Sequence, residues 1–337
     1  MNVGIDLGTY KTIVYIQGKG IVYNEPSVVA YDETTNRIIA IGKEAHKMVG
    51  KTPANIKTIR PILHGVICDY NFAEQMLAII FKKIKKFNIF KPKIAICVPS
   101  IVTNVEKYAI IDVAVKIGAR QVIIIDEPIA AALGEGLDIT KPKGRLVIDI
   151  GGGSTDIALI SLNGIVFKNS IRLAGDSFDD EVIKVLKDKY NFLIGHNTAR
   201  KIKESIGTLY IKSKLDNLSI LVNGKDGFSG MPIKREVFSN DFLSSFNLLA
   251  NQIIDSVKLV IENSPPDILV DIQNQSVLLT GGGAKLNGLK EKLEKSIKLN
   301  VFIPKNCVES VALGTGNCFD YLDSLDDGLI KTKAYKK

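Results

Sequence analysis

An aspartate, three glycines and two hydroxyl residues interrupt an apolar run near the middle of the chain. Glycine loops that bind dinucleotides or P-loop phosphates open into a helix, whereas residues 156–160 alternate as a second strand. The pattern therefore predicts a β-hairpin whose turn can approach a ligand closely. Phosphate oxygens could accept hydrogen bonds from the turn, namely from the backbone N–H groups of Gly151, Gly152 and Gly153 and from the hydroxyls of Ser154 and Thr155. Asp149 suits the water shell of a magnesium ion. The alternative is an ordinary hairpin that needs glycine in its turn.

The N-terminal segment repeats this arrangement. Residues 2–16 are an apolar run, Asp6, a short turn and a second apolar alternation, about 143 residues before the other aspartate. The candidate nucleotide-binding residues in this turn are Gly8, Thr9, Tyr10 and Lys11. Two such hairpins predict a duplicated architecture in which facing halves clamp one nucleotide with its magnesium ion. The alternative is two unrelated hairpins.

Two further segments carry candidate functional residues at the ends of predicted strands. Glu127 follows the apolar residues 122–125 and precedes Pro128, so its carboxylate can orient an attacking water molecule. The alternative role for Glu127 is a cap or dipole partner of the helix that follows. A third glycine turn at 281–283 leads into a predicted helix and could pack against a flat base or an α-phosphate.

Composition excludes several classes of protein. The chain has 337 residues, enough for two domains with their own cores, and 46% apolar with 24% charged residues is typical of a globular protein. The net charge of +8 comes from residues 82–93 and 331–337, which hold ten lysines and no acid and leave 34 basic against 36 acidic residues elsewhere. A nucleic-acid-binding surface is therefore not expected. Four scattered cysteines and three scattered histidines argue against zinc and disulfides, so we expect a cytosolic protein.

The basic segment at 82–93 carries two apolar residues at its tip. Ile89 and Phe90 among lysines are typical of an interfacial membrane anchor, because each lysine near an anionic surface contributes roughly 1 kcal/mol. Burial of a phenylalanine adds about 1.5–3 kcal/mol. Two alternatives remain: Phe90 folds back onto the core, and the lysines complement the dipole of the preceding predicted helix.

Together these motifs resemble those of the actin, sugar-kinase and heat-shock-chaperone ATPases. They are IDLGT (5–9), DEP (126–128), DIGGGST (149–155), AGD (174–176) and TGGGA (280–284). The flanking segments narrow the resemblance to the MreB family of bacterial actin homologues, across roughly residues 2–318. They are KGIVYNEPSVVA (19–30), IRPILHGVICDY (59–70), EPIAAALGEGL (127–137) and YNFLIGHNTARKIK (190–203).

The resemblance implies an α/β, actin-like, two-lobed ATPase fold in which duplicated mixed-sheet, ribonuclease-H-like domains hold ATP and Mg²⁺ in a cleft. By position, Glu127 and Ser154 would be catalytic and Asp6 and Asp149 would hold the magnesium ion through water. The remaining nucleotide-binding residues that it implies are Gly175, Asp176, Lys203, Glu204, Gly281, Gly282, Gly283, Ala284 and Lys285. The apolar membrane loop of the family would coincide with Ile89 and Phe90.

The resemblance also predicts four subdomains. Subdomain IA would comprise residues 1–31, 69–144 and 311–330, and IB residues 32–68. Subdomain IIA would comprise residues 145–179 and 242–310, and IIB residues 180–241, before a basic flexible tail at 331–337.

Three departures from the family pattern bear on activity. The first turn reads GTYKT where the family normally has GTANT, so that Lys11 either binds phosphate tightly or obstructs the turn. Asp126 replaces a glutamate beside the catalytic position. Ser154 stands where the family has threonine, and it lacks the methyl group that restricts the threonine rotamer. We expect ATP binding with slow hydrolysis, a weak ATPase.

The resemblance implies double protofilaments of the chain with itself, paralogous MreB chains as further partners, and attachment to an anionic membrane at the inner face of the cell membrane. A small-molecule kinase of the same fold is the alternative function. A kinase would need a pocket for its second substrate, and the sequence offers no additional segment to form one. The composition is typical of an AT-rich genome. The cellular role would be cell shape through wall synthesis, or shape or motility in a wall-less organism.

Overall fold

The computed structural model describes residues 1–84, 91–211, 213 and 216–322, and the backbone of 329–333. The strands are β1 (Asn2–Leu7), β2 (Lys11–Ile16), β3 (Gly20–Pro26), β4 (Val29–Asp32), β5 (Arg37–Ile41), β6 (Ile56–Ile59), β7 (Ile62–Leu63), β8 (Val66–Ile67), β9 (Lys93–Val98), β10 (Gln121–Asp126), β11 (Arg145–Ile150), β12 (Thr155–Ser161), β13 (Gly164–Ile171), β14 (Phe192–Leu193), β15 (Ser219–Asp226), β16 (Pro232–Phe238), β17 (Val277–Thr280), β18 (Val301–Phe302) and β19 (Leu329–Lys333). The helices are α1 (Lys43–Met48), α2 (Tyr70–Ile84), α3 (Asn104–Lys116), α4 (Glu127–Gly134), α5 (Gly175–Tyr190), α6 (His196–Ile206), α7 (Ser239–Glu262), α8 (Pro266–Gln273), α9 (Leu289–Ile297) and α10 (Ser310–Asn317).

The first lobe is built on a six-stranded mixed sheet in the order β19-β10-β9-β1-β2-β3. Strands β1 and β2 form the predicted antiparallel hairpin, and β9 lies parallel to β1 on its other side. Apolar residues of α2 and α3 cover one face of this sheet and form its core. Helix α3 begins with a capping box, in which Thr103 and Glu106 satisfy each other's backbone N–H groups.

The second lobe repeats this plan on a five-stranded sheet in the order β13-β12-β11-β17-β18. Strands β11 and β12 form the second antiparallel hairpin, and β17 runs parallel to β11. Helices α5, α6, α7 and α9 cover the outer face with their own core, which includes Phe178, Phe242 and Phe246. Each hairpin therefore occupies the corresponding place in its sheet, as the duplication predicted.

Helices α4 and α10 pack against each other between the two sheets, in a third core that contains residues of both lobes. Their contact depends on small residues, because a Cβ at Gly134 would clash with the Ser310 carbonyl oxygen and one at Gly314 with that of Ala130. The close packing fixes the N-terminus of α4, and with it Glu127, at the junction of the lobes.

Each lobe carries a small three-stranded sheet. Strands β5, β4 and β6 pair in that order in the first lobe, next to α1, and β14, β15 and β16 pair in the second. This arrangement accommodates four subdomains, whose boundaries stay a prediction. No helix in the described part of the chain is long and apolar enough to span a membrane.

The basic C-terminal segment differs from its expected form. Residues 331–337 were expected to form a flexible tail, but Lys331–Lys333 belong to β19, which pairs antiparallel with β10. The reason is that β10 would otherwise present an unpaired edge, and an added strand satisfies its backbone groups. Helix α6 ends at Ile206, before Gly207. Ile89 and Phe90 lie outside the described residues.

Candidate functional site

The two hairpin turns face each other across a cavity of about 620 Å³, within the range of small-molecule sites. The predicted site residues that line it are Asp6, Gly8, Thr9, Tyr10, Lys11, Glu127, Asp149, Gly151, Gly152, Gly153, Ser154, Gly175, Lys203, Glu204, Gly281, Gly282, Gly283 and Lys285. Residues from six separate segments of the sequence thus meet in one place.

Three predicted residues do not line this cavity. Thr155 is fully buried, and its hydroxyl donates to the carbonyl oxygen of Leu173 at 2.6 Å. Ala284 packs into the core of the second lobe. The carboxylate of Asp176 is engaged by two arginines, Arg60 at 3.0 Å and Arg200 at 2.5 Å. The side chains of these three residues therefore contact other parts of the protein and not the cavity.

Short hydrogen bonds hold the first turn in place. The Ser27 hydroxyl donates to the Gly8 carbonyl oxygen at 2.7 Å, and the Thr9 hydroxyl accepts the backbone N–H of Gly65 at 2.8 Å. The second turn closes through the N–H of Gly151, which donates to the Ser154 carbonyl oxygen at 2.9 Å. Among the described residues, no acceptor is found for the backbone N–H groups of Thr9, Tyr10, Gly152 and Gly153, which leaves them as donors for an anion.

Four carboxyl groups gather beneath the two turns, at the ends of β1, β10, β11 and β12. Burial raises the pKa of Asp6 to about 7, although the Cys97 thiol donates to it at 3.6 Å. Burial likewise raises the pKa of Asp149 to about 7, against the effect of a hydrogen bond from the Thr280 hydroxyl at 2.6 Å.

The other two carboxyl groups follow the same trend. Burial raises the pKa of Asp156 to about 6, and the N–H of Ser100 in the first lobe donates to Asp156 at 2.6 Å. The pKa of Glu127 lies well above its usual range because of burial and the negative charges of Asp156, Asp149 and Asp6. Such a concentration of carboxylates is stabilised by a bound cation.

The donor set fits a magnesium ion that keeps most of its water. Among the described residues, no three acidic, histidine or cysteine side chains come close enough together to hold a metal ion directly. Mg²⁺ retains several waters and binds through one or two carboxylates plus phosphate oxygens. Asp6 and Asp149 on facing strands can supply those carboxylates, with the turns above them for phosphate.

The third glycine turn forms part of the wall from the second lobe. Gly281 has φ 83°, and its N–H donates to the Cys307 carbonyl oxygen at 2.8 Å. A Cβ at this position would clash with the carbonyl oxygen of Ile150, so glycine lets this turn approach the second phosphate turn. The exposed residues Gly282 and Lys285 face the opening.

Helix α6 supplies a cation pair that the sequence reasoning found only in part. Lys203 donates to the Gly175 carbonyl oxygen at 2.6 Å and lies 2.7 Å from Asp179, while burial lowers the pKa of Lys203. Arg200, one turn earlier on the same helix face, also lines the cavity and had not been predicted. Its three-residue spacing from Lys203 was the available signal. Glu204, which was predicted to bind nucleotide, lines the cavity and is exposed.

Comparison with known proteins gives consistent matches over almost the whole chain. The profile of the family described as MreB/Mbl protein matches residues 1–327. The cell shape-determining protein Mbl of Bacillus subtilis (strain 168) is 42% identical over 325 residues, 96% of this chain and 97% of the relative. The cell shape-determining protein MreB of Escherichia coli (strain K12) is 38% identical over 328 residues, 96% of this chain and 94% of the relative.

Solved structures of similar proteins have the same fold as this chain. The crystal structure of MreB 5 of Spiroplasma citri bound to AMPPNP superposes with a TM-score of 0.90 at 37% identity, over 95% of this chain and 96% of that one. The MamK double helical filament shares the fold, with a TM-score of 0.78 at 20% identity, over 94% of this chain and 98% of that one. The actin-like fold is thus confirmed, and the chain belongs to the MreB/Mbl family.

Proposed function

We propose that the chain binds ATP with Mg²⁺ between its two glycine turns. The observation that carries this proposal is that two fixed glycine turns line one cavity together with three carboxyl groups whose pKa values are raised by burial, those of Asp6, Glu127 and Asp149. The turns suit the negative phosphates, and the carboxylates suit the cation that accompanies them. Structures of MreB 5 of Spiroplasma citri carry AMPPNP and ADP, which supports the same ligand class here.

Hydrolysis would take place beside Glu127 at the start of α4. Its carboxylate would accept a hydrogen bond from a water molecule whose oxygen attacks the γ-phosphorus, breaking the bond to the β–γ bridging oxygen and releasing ADP and phosphate. Bound Mg²⁺ would neutralise charge on the phosphate oxygens. Ser154 would help to hold the water. Because its hydroxyl rotates more freely than that of threonine, we propose that hydrolysis is slow.

We further propose that copies of the chain assemble into filaments. Helix α3 and the residues before it present apolar side chains to solvent, with Ile101 44%, Val105 79% and Tyr108 67% exposed. An apolar surface of this kind marks an interaction site. A second copy of the chain is the occupant we propose, because the MamK relative of the same fold forms a double helical filament.

In the cell, we propose that the filament determines shape, as the names of the Mbl and MreB relatives indicate for those proteins. We also propose that the filament lies in the cytoplasm on the inner face of the cell membrane, with paralogous chains as additional partners. A role in motility, in place of guiding cell-wall synthesis, is the alternative cellular function that we propose.

Sedimentation with ATP and Mg²⁺, followed by electron microscopy, tests the proposal. We expect filaments in the pellet with ATP and fewer without it. The Val105→Glu variant should bind nucleotide normally but pellet less, whereas Glu262→Gln, on the second lobe, should pellet like the wild type. Nucleotide binding without filaments at any protein concentration would favour the kinase alternative, and absence of nucleotide binding would overturn the proposal.

A further inference from the structure

The first phosphate turn contacts the second lobe through an aromatic side chain. The Arg200 guanidinium carbon lies 3.5 Å from the centroid of the Tyr10 ring. Tyr10 belongs to the β1–β2 turn of the first lobe and Arg200 to α6 of the second, and both line the cavity. A cation stacked on a ring and largely removed from water is one of the stronger contacts between two side chains.

The ring of Tyr10 is confined on its other sides. An ideal Cβ built on Gly152 would lie 3.1 Å from the Tyr10 Cβ, so the first turn packs directly on the second. The imidazole of His46 meets the Tyr10 ring edge to face, with centroids 6.3 Å apart at 83°. Tyr10 therefore fills the space between the two turns on this side of the cavity.

Arg200 is held rigidly by the second lobe. Its Nε and Nη2 atoms donate to Asp179 at 3.0 and 2.8 Å, and Nη2 also donates to Asp176. Only 11% of the Arg200 side chain is exposed, and its Nη1 atom has no hydrogen-bond partner among the described residues. The guanidinium is thus presented to Tyr10 as a fixed plane, which costs little side-chain entropy.

Two further contacts cross between the lobes beside this stack. Arg60 of the first lobe donates to Asp176 at 3.0 Å, so Asp176 receives an arginine from each lobe. The Nδ1 atom of His64 lies 3.0 Å from the Gly153 carbonyl oxygen. The three contacts join Tyr10, Arg60 and His64 of the first lobe to α6, α5 and the second glycine turn.

We propose that Tyr10 and Arg200 form a closure across the cavity that sets how fast nucleotide enters and leaves. Separation of the lobes on this side requires the ring to leave the guanidinium, so the stack stabilises the closed arrangement relative to the open one. The Arg60–Asp176 pair adds a second contact between the lobes, and because it shares Asp176 with Arg200 it is coupled to the stack. This inference rests on the proposed nucleotide binding and adds its kinetic control.

A closure and a direct ligand contact have different kinetic signatures. Loss of a ligand contact accelerates dissociation and leaves association almost unchanged. Loss of a closure accelerates both, because the open form is more populated. Removal of either stacked partner abolishes the same interaction, so the two substitutions together should cost little more than one alone.

The experiment measures association and dissociation of a fluorescent ADP analogue with Mg²⁺ by stopped flow, the latter by displacement with excess unlabelled ADP. The variants are Tyr10→Ala, Arg200→Met and their combination. Each single change should accelerate both rates about 3- to 30-fold, the factor equivalent to one cation–π contact. The double variant should resemble the singles. Tyr10→Phe keeps the ring and should restore slow exchange, while Lys201→Met removes an exposed cation from the same helix as a matched control.

Three results would count against the closure: unchanged rates in both single variants, acceleration of dissociation alone, or additive effects in the double variant. Far-ultraviolet circular dichroism and melting of each variant separate these results from misfolding, and Arg200→Met tests the stack from the second lobe if Tyr10→Ala does not fold. Failure of the wild-type protein to bind the analogue would instead overturn the proposed function itself.

Discussion

The Nζ atom of Lys168 lies 2.8 Å from Oδ2 of Asp126, so a cation on β13 of the second lobe neutralises the residue directly before Glu127 in the first. The Asp126 side chain is 5% exposed and that of Lys168 36%. Because Asp126 already lies near the buried carboxyl groups, its charge adds to the repulsion that raises the pKa of Asp156. The ion pair limits this repulsion and ties the two sheets together next to the cavity.

Substitution of Lys168 by methionine should therefore destabilise the fold. It leaves the buried Asp126 carboxylate without its partner, a change that typically costs about 1–3 kcal/mol. Urea unfolding of the two proteins measures this loss. The Asp126→Asn/Lys168→Met double variant should recover part of it, because the unpaired charge is gone.

Two controls accompany this comparison. Lys168→Arg keeps the charge and should retain most of the stability. Lys184→Met removes a lysine that pairs with Glu181 at 3.6 Å on the surface of α5, where we expect a change below about 0.5 kcal/mol. Equal effects of Lys168→Met and Lys184→Met would show that the cross-lobe pair has no special importance.

The carboxyl cluster makes the stability of the nucleotide-free protein depend on pH. Asp6 and Asp149, with pKa values of about 7, and Asp156, with about 6, bind protons in the folded protein that the unfolded chain releases near pH 4. Stability is therefore highest below this range and falls as the pH rises through 6 and 7. The lowered pKa of His46 acts in the opposite sense but involves one group.

Thermal melting between pH 5.5 and 8 measures this dependence. We expect the melting temperature of the nucleotide-free protein to fall by about 5 °C or more over that range. ADP with Mg²⁺ should flatten the slope, since a cation favours the charged carboxylates. The Asp149→Asn variant should also show a smaller slope without ligand. A melting temperature that rises with pH in the free protein would contradict the sign worked out from these groups.

Local patterns in the sequence were sufficient to predict both hairpins and the strand end that carries Glu127. Each depends on residues close together in the chain, such as Asp149 with the glycines after it, so apolar alternation and turn chemistry specify it. The capping box at Thr103 is local in the same way. The resemblance to a family then brought the separate segments into one cleft.

Contacts between distant segments could not be predicted from spacing. Arg200 meets Tyr10 only because two lobes with separate cores come together, and Lys168 meets Asp126 for the same reason. Strand β19 was missed because its pairing depends on the free edge of β10, about 200 residues earlier.

Hydrolysis should respond to the identity of the hydroxyl residue at the second turn. Ser154 lines the cavity and is otherwise buried, so the added methyl group of a Ser154→Thr variant would restrict its rotamer. We expect single-turnover phosphate release to accelerate about two- to fivefold, the gain from fixing one side-chain rotor. Ser161→Thr, at the far end of β12, serves as the matched control. An unchanged or lower rate in Ser154→Thr would exclude this explanation for slow hydrolysis.

Membrane attachment is predicted to depend on Ile89 and Phe90, which follow the C-terminal end of α2 along the chain. The double variant Ile89→Ser/Phe90→Ser should lose most binding to anionic liposomes in co-sedimentation, because two apolar side chains contribute about 3 kcal/mol or more on burial. Binding of the wild type should also weaken with salt, since lysines supply the rest. Leu162→Ser/Val166→Ser, in and next to the β12–β13 turn, removes two other exposed apolar residues as the control. Undiminished binding of the first variant would remove this segment as the anchor and direct attention to the lysines at 331–337.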